Sequence, residues 1–439
     1  MAHADDFLSY FQLSARGSSL RQEITGGLTT FLTMAYIVVV NPLILAEAGM
    51  DKNAVFVATC LAAAFGSLLM GLYANLPIAQ APGMGLNAYF AFTVVPALGG
   101  DWRIALGCVF FSGLIFLALS VSTFREKMIN AIPASQKQAI AAGIGLFLAF
   151  IGLQNAGIVA ASPVTLVKLG DMSRPEVWLA AGGFLAIGAL YARKLPGAVL
   201  GVILLLTLIA GLAGLSEPDA GTGGGLVSLP PSLLPTFLEL DLAGALGVGL
   251  VTVIFVFLLV DLLDTAGTLV AVAARAGLID GQGRLIGMKK AMIADSAATS
   301  VGALLGTSTT TSYIESTSGI EAGGRTGLTA IVTGLAFLAC LFFAPLIGAV
   351  PGFATAPALI LVACLMMQGL GKVDWGETSE AIPATVTLIA IPLTFSIATG
   401  IGLGIITYAA LKALTGQARQ VHPVLWGLAA AFAIKLAVA

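Results

Sequence analysis

The sequence predicts an all-α polytopic membrane protein of fourteen segments, arranged as two inverted repeats of seven. Three observations predict it. The 439 residues are 58% hydrophobic and only 10% charged, against about 25% charged in soluble domains. Apolar runs near the roughly 20 residues that a helix needs to cross a bilayer recur along nearly the whole chain. Two polar, helix-breaking segments also fall at matching places in the two halves.

The runs place the segments at 23–47, 53–75, 78–96, 102–122, 134–153, 177–192, 196–214, 244–272, 289–306, 308–323, 326–350, 355–370, 381–398 and 400–415. The apolar tail at 422–438 reads as an interfacial helix or as a piece packed back into the membrane. The first 20 residues are polar and contain no signal-peptide core. With the N-terminus placed in the cytoplasm, the cytoplasmic side receives Arg16, Arg21, Arg125, Lys127, Lys137, Arg193, Lys194, Arg275, Arg284, Lys289, Lys290, Arg325, Lys372, Lys412 and Arg419. The opposite side receives Lys52, Arg103, Lys168 and Arg174, and Lys435 lies in the tail. This asymmetry obeys the positive-inside rule. Removing one middle segment would scramble it, so it supports the segment count as well as the orientation.

Composition also excludes function classes. The formal net charge of −2 leaves no basic stripe for nucleic acid. Cys60, Cys108, Cys340 and Cys364 show no CxxC spacing, and the two histidines, His3 and His422, lie near the ends. A disulfide framework and a metal centre are therefore not expected. There is no G-x-x-x-x-G-K-[ST] for ATP and no GxSxG nucleophile elbow, so an enzyme is disfavoured.

The one long loop, 215–243, carries Glu217, Asp219, Glu239, Asp241, a glycine cluster and three prolines, and divides the chain nearly in half. Seven segments precede it and seven follow. An odd number forces the second half to enter the membrane with opposite polarity. In segment 3 the chain breaks at Gln80-Ala-Pro-Gly-Met-Gly-Leu-Asn87, and in segment 10 at Thr307-Ser-Thr-Thr-Thr-Ser-Tyr-Ile-Glu315, continuing to Ser318-Gly319. The first break lies roughly 52 residues after the middle of segment 1, the second roughly 54 after the middle of segment 8. Pro82, Gly83 and Gly85 cannot sustain a regular helix. Freed backbone groups cost several kcal/mol each in hydrocarbon, so such a segment belongs inside the protein or against a watered cavity. Paired breaks of this kind point to the central site of a transporter.

Four acids stand inside segments: Asp261, Asp264, Glu315 and Glu321. Each costs about 2.5–3.5 kcal/mol at a helix centre on insertion scales. Asp261 and Asp264 are three apart and share a helix face. Carboxyls held out of water can exchange protons near neutral pH, or accept hydrogen bonds from the N–H groups of a planar heterocycle. Glu321 reads equally as a partner of Arg325 at the cytoplasmic end. Asn87 can cap the half-helix or bind a ligand. Tyr36, Thr30 and Thr33 read as helix–helix contacts. Phe90, Phe92 and Tyr313 read as packing residues placed where they could also cover a ring.

At these residues the chain resembles the AzgA-like purine permeases, a branch of the nucleobase-cation symporters with the UraA-type fold. The matching stretches are Glu23-Ile-Thr-Gly-Gly-Leu-Thr-Thr-Phe-Leu-Thr-Met-Ala-Tyr36, Asn41-Pro42, Ala81-Pro-Gly-Met-Gly-Leu-Asn-Ala88, Leu259-Val-Asp-Leu-Leu-Asp-Thr-Ala-Gly267 and Thr309-Thr-Thr-Ser-Tyr-Ile-Glu-Ser-Thr-Ser-Gly-Ile-Glu-Ala-Gly-Gly-Arg-Thr-Gly327. The resemblance implies a core domain of segments 1–4 (23–122) and 8–11 (244–350). It implies a gate domain of segments 5–7 (134–214) and 12–14 (355–415). The count of basic residues adds a cytoplasmic N-terminus (1–22) and an extracytoplasmic linker (215–243), and a tail helix (416–439) closes the chain. The resemblance further implies proton-coupled import of hypoxanthine, guanine or adenine across the bacterial inner membrane, with the proton gradient as driving force and no cofactor. Asp261, Glu315 and Asn87 would bind the purine, with Gly85 at the small-residue position and Tyr313 and Ser318 beside Glu315. Asp264 and Glu315 would serve proton coupling. Two copies would pair through the gate domains. The alternative is a sulfate or bicarbonate transporter of the same architecture, which would favour cations rather than acids at the site.

Overall fold

A computed structural model describes residues 9–122, 131–215, 227–247, 250–278 and 286–438. Arg125, Lys127, Arg284, Glu217, Asp219, the glycine cluster and His3 lie outside the described residues. The described residues are helical with four short strands. Among the described residues nine helices are long and apolar enough to cross a membrane: Leu20–Ala46, Lys52–Ala74, Trp102–Val121, Ala134–Asn155, Pro175–Ala192, Thr252–Ala276, Gly327–Gly348, Gly352–Lys372 and Ile397–Leu414. They are segments 1, 2, 4, 5, 6, 8, 11, 12 and 14. Segments 7 and 13 are the shorter helices Ala198–Leu212 and Thr378–Thr394. Segment 9, Met288–Leu305, carries Lys289, Lys290 and a buried Asp295, which lowers its hydropathy. Segments 3 and 10 are the broken ones. Each opens with a three-residue strand: β1 (Gln80–Pro82) leads into the helix Met84–Ala97, which is π-helical over Phe90–Val94, and β4 (Thr310–Ser312) into the six-residue helix Ser316–Glu321.

The chain packs as two units, one from residues up to Val121 with Leu185–Thr355, the other from Ser122–Phe184 with Ala356 onward. Segment 7 and the second half of segment 6 thus fall in the first unit, not with segments 5 and 12–14. The physical reason is local: Ala198–Leu212 packs on Leu20–Met34, and Lys194 pairs with Glu321 at 3.5 Å.

In the first unit the two breaks meet. β1 and β4 pair antiparallel, with Gln80 opposite Ser312, Ala81 opposite Thr311 and Pro82 opposite Thr310. An antiparallel pair has a local two-fold axis, which is what joining equivalent pieces of two inverted repeats requires. Flanking bonds extend it: Gly83 N donates to Thr309 O at 2.9 Å and Tyr313 N to Ala79 O at 3.0 Å. Neighbouring helices satisfy the remaining backbone. Ser67 Oγ bonds both N and O of Gln80, Ser316 Oγ accepts from Ala79 N, and Thr299 Oγ1 lies 2.8 Å from Thr310 O. Non-helical backbone is therefore tolerated at membrane depth because side chains replace the missing helix bonds.

Segment 1 lies against segment 10 at backbone contact. A Cβ on Gly319 would come within 2.1 Å of Thr30 Oγ1 and 2.4 Å of Gly26 O, so only glycine fits there. Glu23, fully buried in segment 1, accepts from Arg325 N (3.0 Å), Thr326 N (3.2 Å), and Thr329 N and Oγ1 (3.2 and 2.6 Å). It thereby caps segment 11, satisfying N–H groups that a helix start leaves free.

In the second unit, buried Lys412 of segment 14 pairs with Glu380 of segment 13 at 2.9 Å, and Ser135 of segment 5 also donates to Glu380. Strands β2 (Val159–Ser162) and β3 (Leu166–Leu169) form an exposed hairpin after segment 5. The tail is a helix, Pro423–Val438, that packs on segment 14, with Phe432 against Gly402.

Candidate functional site

The antiparallel pair gathers polar side chains from segments 1, 3, 8, 9 and 10, all in the first unit. Asp261 lies in the middle of segment 8 and is fully buried. Its Oδ2 lies 3.1 Å from Thr299 Oγ1, whereas its Oδ1 has no hydrogen-bond partner among the described residues. Thr299 also faces the Thr310 carbonyl at 2.8 Å. A hydroxyl has one proton, so it serves one of these acceptors at a time. When Thr310 takes it, Asp261 bonds Thr299 only by carrying a proton itself.

Asn87, fully buried in the half-helix after β1, accepts from Ser308 Oγ on the other break, leaving its Nδ2 without a partner among the described residues. Glu315 is half-buried at the start of the helix after β4. Its Oε1 accepts from Tyr36 Oη of segment 1 at 3.0 Å. Tyr313 is buried and donates to Pro82 O, which holds its ring across the two breaks. Gly85 and Ser318, both half-buried, lie in the two half-helices. Asp264 is exposed, makes no hydrogen bond among the described residues, and acts electrostatically on Asp261, Asp295, Tyr313 and Glu315. Phe90 is fully buried and Phe92 half-buried. A buried acceptor and a buried donor without partners cost about 1–3 kcal/mol each.

Two expectations change. Glu321 is not an interior acid. Its side chain is 45% exposed and pairs with Arg275 (3.0 Å) and Lys194 (3.5 Å). Arg325 instead donates to the carbonyls of Ile320 and Gly324 at 2.9 and 3.3 Å, because the chain turns back there and points its carbonyls at the guanidinium. Tyr36, read as a helix contact, bonds Glu315.

Two buried acids escaped the sequence reading, Glu23 and Asp295. Asp295 of segment 9 is fully buried and accepts from Gln80 Nε2 (2.9 Å), Ser312 Oγ (2.8 Å) and Thr265 Oγ1 (2.9 Å). It stitches β1, β4 and segment 8 together. The signal was present: Asp295, Ser296, Thr299 and Ser300 form a polar stripe at helical spacing. Among the described residues no group of three His, Cys, Asp or Glu is placed to hold a metal.

A family model described as "Permease family" matches residues 21–403. The chain belongs to this permease family. The chain is similar to the adenine permease AdeP of Escherichia coli, at 46% identity over 426 residues that cover 97% of this chain and 95% of the relative. It is also similar to the guanine/hypoxanthine permease PbuG of Bacillus subtilis, at 48% over 442 residues covering 97% and 98%. Among solved structures, the transmembrane domain of a cyanobacterial bicarbonate transporter, BicA, superposes with a TM-score of 0.64 at 19% identity, covering 86% of this chain and 97% of that one. At that identity the likeness concerns the fold alone. It bears out the polytopic fold with two inverted seven-segment repeats, and the permease is a multi-pass membrane transporter rather than an enzyme.

Proposed function

We propose that this member of the purine permease family imports a purine nucleobase by proton symport with alternating access, across the inner membrane and with its N-terminus in the cytoplasm. The observation that carries the reading is that Asp261 Oδ1 and Asn87 Nδ2, in segment 8 and in the helix after β1, are buried without hydrogen-bond partners among the described residues, on elements that pack around the paired breaks. A purine presents in-plane N–H donors together with ring-nitrogen or carbonyl acceptors. Asp261 and Glu315 accept from the donors, and Asn87 donates to an acceptor. Gly85, Tyr313 and Ser318 line the same place. Hypoxanthine, guanine and adenine all offer this combination, and the names of the relatives support purines as a class.

Asp264 and Glu315 carry the coupling in this reading. Asp264 stands one helix turn from Asp261 and interacts electrostatically with Asp261, Asp295 and Glu315. One charge moving through 100 mV is worth about 2.3 kcal/mol, enough for some 50-fold accumulation. Segments 1–4 and 8–11 serve as the core that carries the site, and segments 5–7 and 12–14 as the gate, through which two copies pair; segment 7 and the second half of segment 6 are the part of that gate that packs with the first unit. The anion reading is disfavoured by Asp261, Asp264, Asp295 and Glu315, which would repel sulfate or bicarbonate.

The test is uptake of labelled hypoxanthine, guanine and adenine into transporter-deficient cells, with and without a protonophore. The reading expects saturable uptake of at least one purine that collapses with the gradient. Uptake of none, or uptake indifferent to the protonophore, would refute the substrate and the coupling respectively.

A further inference from the structure

We infer that Tyr36 is a positioning residue for Glu315: its hydroxyl holds one carboxylate oxygen so that the other is turned to the substrate. This rests on the purine reading above. Tyr36 lies at the junction of helices Leu20–Met34 and Ile37–Ala46 within segment 1 and is 3% exposed. Its Oη donates to Glu315 Oε1 at 3.0 Å. Among the described residues no other side chain donates to this carboxyl, and the short helix that Glu315 starts does not use it as a side-chain cap. The phenol from the opposite repeat is thus the one side-chain anchor of a half-buried group that could otherwise rotate.

The anchor is rigid because of a contact about three turns from Tyr36 and one turn from Glu315. Segments 1 and 10 touch through Gly26 and Gly319, where a Cβ on Gly26 would lie 2.8 Å from Gly319 O. Backbone-to-backbone packing fixes the distance between the elements that carry Tyr36 and Glu315. Among the described residues, the titratable groups that interact with Glu315 are Tyr36 of segment 1, Tyr191 of segment 6, Asp264 of segment 8 and its own neighbour Tyr313. None is a cation, so the carboxyl is oriented without being neutralised, as a group that must both bind N–H donors and exchange a proton requires. A bond that orients a ligand-binding carboxyl contributes to substrate affinity, and its loss raises KM while leaving the maximal rate.

The experiment measures uptake kinetics of labelled hypoxanthine, guanine and adenine for wild type, Tyr36→Phe, Glu315→Asp and the double variant, with thermal stability of each purified protein. Tyr36→Phe should raise KM roughly tenfold, about 1.4 kcal/mol, at an unchanged maximal rate per folded copy. Glu315→Asp withdraws the carboxyl by one methylene from the phenol. Adding Tyr36→Phe to it should cause no further rise, because the two changes remove one interaction. An unchanged KM for Tyr36→Phe, a fall in maximal rate or melting temperature at constant KM, or multiplying losses in the double variant would overturn the positioning role. Wild-type protein that takes up no purine would overturn the purine reading itself, and this inference with it.

Discussion

Asp295→Ala should cost about 3 kcal/mol of stability. The substitution removes an acceptor that holds three donors from three elements, at 2.9, 2.8 and 2.9 Å. Hydrogen bonds to a charged group contribute about 1.5–3 kcal/mol each, and a stranded buried donor costs about 1–3. Simple addition would overshoot, because two donors have a fallback. Gln80 Nε2 retains Ser312 Oγ at 3.3 Å, and Thr265 lies close enough to Asp261 to turn to it. The Ser312 hydroxyl loses its acceptor outright. About 3 kcal/mol corresponds to roughly a hundredfold in the unfolding equilibrium. Asp295→Asn retains the bonds at one oxygen, and the Thr265 hydroxyl can reverse to accept, so about 1 kcal/mol is expected. Denaturant unfolding of the purified protein in detergent measures both. An alanine variant as stable as wild type would refute the reasoning. Asn as damaging as Ala would show that charge, not bonding, is what Asp295 supplies.

Three further outcomes follow from the same geometry. Glu23→Ala should destabilise by a comparable amount, because it uncaps segment 11; a melting temperature equal to wild type would contradict the four-bond cap. Gly319→Ala should prevent accumulation of folded protein, since its Cβ has no room against Gly26 O and Thr30; normal yield measured by fluorescence-detected size exclusion would contradict the backbone contact. Asp264→Asn should abolish proton-driven accumulation while leaving equilibrium purine binding within a few-fold; equal loss of both, or of neither, would count against a separate coupling role.

The residues that were legible in the sequence are those whose chemistry is anomalous where they stand. Pro82 and Gly83 inside an apolar run, and a threonine run ending in Glu315, announce broken backbone without reference to any partner. Asp261 and Asp264 have no neighbour in sequence to neutralise them. Asp295 was hidden because Lys289 and Lys290 lie within two turns and make it look like a segment end; what buries it is Gln80, Ser312 and Thr265, distant in sequence. Glu23 was hidden the same way, beside Arg21 at the start of segment 1, and its donors begin some 300 residues later. Glu321 failed in the opposite direction. It looks interior in sequence, but the helix that carries it is only six residues long and ends at Arg275 and Lys194. The Tyr36–Glu315 bond needs the two repeats folded together, and no local pattern encodes it.

The central claim is that Asp261, Asn87 and Glu315 form one purine site. Equilibrium binding of labelled hypoxanthine, guanine and adenine to the purified permease, and to Asp261→Asn and Glu315→Gln variants that melt like wild type, tests it most directly. Saturable binding by wild type that is nearly abolished in both variants is the predicted result. Binding at wild-type affinity in either variant would contradict the assignment of that carboxylate, and in both would contradict the site.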